Sequence, residues 1–183
     1  MIAGLPPKDK NVPRRRHPVI ESAPPRLTPV GEALAKQISL VLSDFDVSIT
    51  AEVDEVCCLV RAPDVERICR VLKKNPLTSM KYLRLLTVVD YLEDEAELEV
   101  VYHLYSLEHH HKMMLKTRVT DESPRVPSVA GVWRGAGWYE REMYDLFGVF
   151  FQGTPDTRTL ILPDDFEGFP GRKNYPINEY DEW

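Results

Sequence analysis

The sequence predicts an α+β fold: a mainly antiparallel sheet with two helices on one face, followed by short helices and a long extended C-terminal tail. Two segments with helical spacing of apolar residues alternate with strand-like segments in the first half of the chain. After Gly148, glycine and proline recur too closely for any long element. At 183 residues, one domain with appended arms is expected, because this length suffices for a single hydrophobic core.

The two helices are predicted from apolar spacing and from their capping residues. The first extends from Pro29 to about Leu42, with Thr28 as N-cap residue and proline at the first helical position. The second begins at Pro63-Asp64 and continues to about Lys74, with basic residues in its last turn, where the helix dipole favours positive charge. Each helix presents one apolar face, so both are expected to pack against the sheet.

Five strands are predicted from alternation and β-branched residues. They cover residues 46–53, 56–61, 82–92, 98–107 and 113–119. The first two form a hairpin, with Asp54-Glu55 as the turn. The last two are separated by the run His109-His110-His111.

The last third of the chain is irregular but rich in aromatic residues. Ser128 to Trp133 and Ala136 to Phe147 are predicted to be short helices. Of the 17 aromatic residues, 12 lie between Trp133 and Trp183, whereas disordered segments are poor in aromatics. Aromatic residues are enriched at interface cores, so we expect this tail to wrap around a partner.

The sequence therefore divides into four regions. They are a flexible, basic, proline-rich arm (residues 1–27), an α+β domain (28–125), charged docking helices (126–147) and an extended, partner-wrapping tail (148–183).

Charge and hydropathy exclude some classes of function. The chain has a net charge of −6, but residues 1–29 have a balance of +4 and the remainder therefore −10. An acidic body argues against nucleic-acid binding, although Arg14-Arg15-Arg16 marks the arm as basic. No run approaches the ~18 apolar residues of a membrane span, so membrane association is expected only through partners. The first residues lack the apolar core of a secretory signal, which predicts an intracellular protein.

The cysteines and histidines do not form a recognisable site. Cys57 and Cys58 are adjacent on a predicted strand and point to opposite faces, and Cys69 occupies an apolar helical position. Iron–sulfur ligation uses four thiolates, so no cluster is expected in this chain. The run from His109 to His111 is open to three interpretations: solvated turn residues, a zinc site completed from elsewhere, or a pH-sensitive contact.

The predicted helix from Ala136 to Phe147 carries four ionisable groups in six residues. Glu140 and Glu142 point about 200° apart, so they do not form one carboxylate pair. Glu142 and Asp145 share a face, and Arg141 is spaced to pair with Asp145. Two interpretations stay open: a docking surface for basic groups of a partner, or a solvated helical face with weak internal pairs.

From this helix onward the sequence resembles a known family. The matching residues are Glu140-Arg141-Glu142, Asp145-Leu146-Phe147-Gly148, Gly153, Pro155, Arg158, Leu160-Ile161-Leu162-Pro163-Asp164-Asp165-Phe166, Gly168, Pro170, Arg172-Lys173 and Tyr175-Pro176. They resemble the signature of the 30 kDa subunit family of the energy-converting NADH:quinone oxidoreductase, respiratory complex I. The resemblance extends from about Tyr82 to Tyr180 and departs at two positions: Thr154 replaces the usual histidine and Gly171 the usual leucine.

The resemblance implies a soluble, cofactor-free structural subunit of the peripheral arm, located at the cytoplasmic face of the cell membrane. It implies that iron–sulfur clusters and quinone are held by partner subunits, and that this chain braces those subunits without catalytic residues of its own. Carried over residue by residue, it makes nine residues candidates for the partner interface. They are Glu140, Arg141, Glu142, Asp145, Arg158, Asp164, Asp165, Arg172 and Lys173.

Two alternatives accompany this interpretation. The first is the equivalent subunit of a related membrane complex that oxidises ferredoxin or a reduced deazaflavin (F420H2), or that evolves hydrogen. The second is a stand-alone metal-dependent hydrolase that would use Glu142, Asp145 and the histidine run. The hydrolase requires a nucleophile–base arrangement that the sequence does not supply.

Overall fold

The computed structural model describes residues 26–91 and 97–176. Residues 1–25, the acidic residues 92–96 and residues 177–183 lie outside the described residues. Within the described ranges, no helix is long and apolar enough to cross a membrane.

The described residues form three α-helices. Helix α1 is Pro29–Val41, α2 is Val65–Lys74 and α3 is Ala136–Phe147. Thr28 caps α1 as predicted, since its Oγ1 accepts a hydrogen bond from the backbone N–H of Gly31 at 3.2 Å.

The strands form a five-stranded sheet and a small pair. They are β1 (Val47–Glu52), β2 (Glu55–Val60), β3 (Tyr82–Asp90), β4 (Glu97–Ser106), β5 (His111–Thr120), β6 (Arg125–Pro127) and β7 (Phe150–Gln152). The large sheet has the order β1-β2-β5-β4-β3, and only its β2–β5 pairing is parallel. Strands β6 and β7 pair in parallel as a separate sheet. The mixed α+β class with a mainly antiparallel sheet is therefore confirmed.

One face of the large sheet carries the helices and the core. Ile38 of α1, Leu72 of α2 and Met143 of α3 pack with inward residues of the sheet such as Tyr102 and Leu115. The three chain segments were predictable as helices because their apolar residues recur at the helical period.

The opposite face of the sheet carries cross-strand ion pairs. Lys116 Nζ lies 2.6 Å from Glu52 and 3.1 Å from Glu99, and Arg118 lies 3.3 Å from Glu99. Cys57 is buried beneath these side chains, and burial raises the pKa of its thiol to about 12, with the charge of Glu52 acting in the same direction. Cys58 and Cys69 are also free and buried, in the core.

The segment from Ser128 to Trp133 differs from its predicted helix. It forms turns, in which the backbone N–H groups of Val132 and Trp133 both donate to the carbonyl of Val129. Glu140 accepts hydrogen bonds from the hydroxyl of Ser128 and the backbone N–H of Val129, and these contacts tie the turns to α3.

Candidate docking surface

Helix α3 ends where the C-terminal segment, defined here as residues 148–176, begins. Gly148 adopts a left-handed conformation with φ of 72°, and its N–H donates to the carbonyl of Tyr144 at 2.8 Å. A Cβ atom at this position would lie 2.6 Å from the ring of Phe169. Glycine is therefore required both by the helix end and by the close approach of the segment.

Glu140 joins α3 to the loop before it. Its side chain is buried, with 1% exposure, and accepts hydrogen bonds from Ser128 Oγ and the Val129 N–H, each at 2.7 Å. A buried carboxylate with both oxygens satisfied is a structural arrangement, because an unpaired one would be very costly. The geometry thus assigns Glu140 an internal role in this chain.

Asp145 joins α3 to the C-terminal segment. The residue is 3% exposed, and its Oδ2 accepts from the backbone N–H groups of Leu160 at 2.7 Å and Ile161 at 2.8 Å. Its other oxygen is buried and has no hydrogen-bond partner among the described residues. The N–H of Leu162 also points to this oxygen, at the longer distance of 3.4 Å. One carboxylate therefore accepts from the backbone of three consecutive residues of the segment.

Arg141 also holds the segment. Its guanidinium donates to the carbonyls of Arg158 and Thr159, each at 2.8 Å, and lies 3.2 Å from a carboxylate oxygen of Asp156. The pair with Asp145 that the spacing permits is thus replaced by contacts with the segment.

Asp156 lies between two guanidinium groups. Hydrogen bonds from the side chain and backbone of Arg158 hold the pKa of the Asp156 carboxyl well below its usual range, and the charge of Arg141 adds to this effect. The interaction likewise raises the pKa of Arg158. Both groups are accessible to water, so this pair orients the segment more than it stabilises the fold.

Arg172 closes the segment onto the sheet domain. Its Nε donates to the carbonyl of Phe147 at 2.6 Å, its Nη1 pairs with Asp121, and its guanidinium lies 4.9 Å from the ring centroid of Phe169. Next to it, the N–H of Gly171 donates to the carbonyl of Leu146 at 2.8 Å.

Gly171 is one of the two departures from the family pattern, and the structure gives it a physical role. A Cβ atom here would lie 2.9 Å from the carbonyl oxygen of Leu146, closer than side-chain carbons normally approach. The absence of a side chain therefore permits the backbone hydrogen bond in its present geometry.

Four other predicted interface residues lie near or on the molecular surface. Glu142 is partly exposed, and Asp165 and the Lys173 side chain are exposed. Asp164 is also exposed and accepts a hydrogen bond from Thr159 Oγ1 at 2.7 Å. The backbone N–H of Lys173 donates to Asp90 at 2.9 Å. Asp164 and Asp165 thus place two adjacent carboxylates on the exposed side of this part of the segment.

Large apolar side chains accompany these charges, on α3 and on the segment that it holds. Trp138 is 62% exposed, Ile161 53% and Phe166 39%. By contrast, Phe151 of the same segment is only 2% exposed and belongs to the core. The segment therefore buries part of its aromatic content on its own domain and presents the rest outward. We call Trp138, Ile161, Asp164, Asp165 and Phe166 the outward surface.

A cleft of about 210 Å³ lies between α3 and the first part of the segment. Its lining includes Arg141, Tyr144, Phe150 and Thr154. Thr154, the other departure from the family pattern, has a buried hydroxyl without a hydrogen-bond partner among the described residues.

Sequence reasoning missed the residues that complete these contacts: Ser128, Asp121, Asp90 and Asp156. The first three are 12, 51 and 83 residues away from their partners, which no local spacing reveals. Asp156 had a local signal, because it lies two residues before Arg158 in a turn.

Glu140 and Asp145, the buried acidic side chains of this surface, make their contacts within the chain itself. Within residues 26–91 and 97–176, no group of three or more histidine, cysteine or acidic side chains is placed to hold a metal ion. The geometry defines a domain that holds a C-terminal segment in place and presents it outward.

Comparison with known proteins places this architecture in a family. Residues 58–181 match the family described as "Respiratory-chain NADH dehydrogenase, 30 Kd subunit", and the chain belongs to that family. The corresponding NADH-quinone oxidoreductase subunit of Rhizobium meliloti (strain 1021) is 41% identical over 116 residues, which are 63% of this chain and 63% of that protein. The alignment thus spans less than two thirds of that relative.

Solved structures agree with the fold. A chain of the membrane-bound sulfane sulfur reductase, an archaeal respiratory membrane complex, matches with a TM-score of 0.65 and 29% identity, over 80% of this chain and 86% of that one. The trypsin-resistant fragment (1-134) of Nqo5 matches with a TM-score of 0.55 and 24% identity, over 68% of this chain and 97% of that one, and shows the shared fold alone.

Proposed function

We propose that this chain is a structural subunit of the peripheral arm of a complex I-type NADH:quinone oxidoreductase. In this role it braces the subunits that carry the terminal iron–sulfur cluster and the quinone site, at the cytoplasmic face of the membrane, and makes or breaks no bond itself. Electrons tunnel between cofactors at fixed separations, so rigid support of the cofactor-bearing subunits is itself functional.

One observation carries the proposal: α3 holds an irregular segment in place while that segment keeps large apolar side chains in water. Asp145 and Arg141 fix residues 158–161 by their backbone groups, and Ile161 and Phe166 remain outward. Exposed apolar groups beside acidic ones are typical of an interface with another protein. Membership of the 30 kDa subunit family supports partner subunits as the occupants.

The test is incorporation of a tagged chain into the native membrane complex. We expect Ile161→Asp to reduce the amount of this chain that copurifies with the complex by about tenfold or more, because a buried interface charge costs at least ~1.4 kcal/mol. The free energy of unfolding of the isolated chain should change by less than about 0.5 kcal/mol, since the side chain is exposed there.

Leu40→Asp is the matched control, because Leu40 is an apolar residue on α1 with 73% exposure. It should incorporate normally. Normal incorporation of Ile161→Asp would contradict the proposed interface, and copurification with no membrane subunit at all would contradict the assembly role.

A second candidate is the equivalent subunit of a related respiratory membrane complex. It is favoured by the likeness to the archaeal sulfane sulfur reductase chain. The match covers 86% of that chain, whereas the match to the Rhizobium relative covers 63% of that protein. Mass spectrometry of the copurified subunits distinguishes the two, since only a complex I-type enzyme supplies NADH-binding partners.

A further inference from the structure

The two edges of the large sheet differ in how they are protected. Strand β3 lies at one edge and is irregular between Leu83 and Leu85. Helix α3 packs against it, and Tyr139 Oη donates to the carbonyl of Arg84 at 3.1 Å. Irregularity and coverage of this kind prevent another strand from adding to an edge.

Strand β1 lies at the other edge and, among the residues that the structure describes, it is regular and no helix is paired with it in this way. Its six residues pair with β2 in continuous register from Val47↔Val60 to Glu52↔Glu55, and they include neither proline nor lysine. Within the described ranges, no backbone group of another element hydrogen-bonds to its outer side. Alternate residues of β1 therefore direct backbone N–H and C=O groups away from the sheet.

The surroundings of this edge are acidic. Asp44 and Asp46 are exposed immediately before β1, and Glu52 and Asp54 follow at its other end. Glu52 and Asp54 pair with lysines of β5, at 2.6 Å and 2.9 Å respectively. Asp44 and Asp46, at the start of the strand, form no ion pair within the described residues. Arg67, whose guanidinium lies 5.2 Å from the ring centroid of Phe45, pairs instead with Asp64.

We propose that the free edge of β1 accepts an extended segment of a partner polypeptide as a sixth strand, with lysine or arginine side chains at the end beside Asp44 and Asp46. Only an extended backbone matches a row of donors and acceptors at the strand repeat, which fixes the conformation of the occupant. The negative charge at the start of β1 indicates that the occupant is positively charged at that end. This second contact rests on the proposed membership of an assembly but does not involve the outward surface.

Amide hydrogen exchange tests the proposal on the full chain, isolated and within the detergent-purified membrane complex. We expect the outward amides of β1 to exchange about tenfold or more slowly in the complex than in the isolated chain, because they become hydrogen-bonded there. Amides of the covered strand β3 should change much less. Equal exchange of the β1 amides in both states would overturn the proposal, while changes at residues 158–166 report separately on the proposed function.

Two other occupants are distinguished by the same measurement. Protection already present in the isolated chain and lost on removal of residues 1–25 would assign the edge to the chain's own basic arm and overturn the proposal. Protection that grows with the concentration of the isolated chain would assign it to a second copy, with the same consequence.

The charge of the occupant is tested by the double substitution Asp44→Asn and Asp46→Asn. We expect it to raise the exchange rate of the β1 amides in the complex severalfold, while Glu32→Gln, an exposed acidic residue on α1, leaves them unchanged. An unchanged rate in the double variant would overturn the inference that the occupant is basic.

Discussion

At the level of single residues, Glu140, which the family resemblance makes an interface candidate, forms buried contacts within the fold. Its carboxylate satisfies Ser128 and Val129, so its removal leaves two buried groups without partners. We expect Glu140→Ala to lower the free energy of unfolding by about 2–4 kcal/mol, and Glu140→Gln to cost less because the amide still accepts one hydrogen bond. Urea unfolding of the isolated chain measures both.

Glu142→Ala is the control for this prediction, since Glu142 lies on the same helix but is partly exposed and makes no ion pair within the described residues. It should change the free energy of unfolding by less than about 0.5 kcal/mol. Equal losses in the Glu140 and Glu142 variants would contradict a special role for the buried hydrogen bonds, and helix propensity would not explain them because alanine is the stronger helix former.

Asp145 provides a second prediction at this scale, because its carboxylate holds the backbone around Ile161. We expect Asp145→Ala to weaken the attachment by about 1–3 kcal/mol, which corresponds to an increase of about 5- to 150-fold in opening of the segment. The rate of limited trypsin cleavage after Arg158 measures this opening. Asp165→Ala, at an exposed carboxylate of the same segment, should leave the rate unchanged.

At the level of secondary-structure elements, local patterns predicted the helices and strands and failed where contacts are distant. Helix α1 was predictable because Thr28, Pro29 and the spacing of Leu34 and Ile38 all act within one element. The parallel pairing of β2 with β5 and the three-residue strands β6 and β7 depend on pairings far apart in sequence. No period of two or of 3.6 residues reveals such pairings.

The turn between β4 and β5 gives a prediction about pH. His111 has a lowered pKa, first because it is partly buried and second because His109 and His110 lie nearby. The imidazole of His111 is therefore protonated at a higher pH in the unfolded chain than in the folded chain. The contribution of His111 to the free energy of unfolding is fully present above the ordinary pKa of 6.5. It is lost as the pH falls toward the lower pKa that His111 has in the folded chain.

We accordingly expect the free energy of unfolding to decrease as the pH falls below about 6.5, where the histidine of the unfolded chain takes up its proton. His111→Gln should make this decrease shallower, because glutamine does not titrate. His109→Gln removes one of the neighbouring rings that lower the pKa of His111, so it should make the decrease slightly shallower, and less so than His111→Gln. A slope unaffected by His111→Gln would assign the pH dependence to other groups.

At the level of the whole molecule, the first residues of the predicted tail contribute to the core of the domain. Val149 and Phe151 are buried in the domain core, and β7 pairs with β6. The sequence analysis began the extended tail at Gly148, because glycine and proline recur closely after that residue. Burial of single residues after a helix end has no local signature, so this part of the fold could not be predicted.

The burial of Val149 and Phe151 leads to a prediction for truncated chains. We expect a chain that ends at Gln152 to retain the cooperative unfolding of the domain. A chain that ends at Phe147 should lose about 3–6 kcal/mol, because two large apolar side chains leave the core. Thermal unfolding followed by circular dichroism measures the difference, and equal stability of the two chains would contradict this contribution to the core.

The contact between Asp145 and the segment has a consequence for how this surface changes in evolution. The carboxylate accepts hydrogen bonds from the backbone amides of Leu160 and Ile161, and these bonds do not depend on the identity of the two side chains. The side chains at these two positions can therefore change in evolution, as the partner surface changes, while the backbone hydrogen bonds to Asp145 are kept. Proline is the substitution that this arrangement forbids, since it has no amide hydrogen to offer.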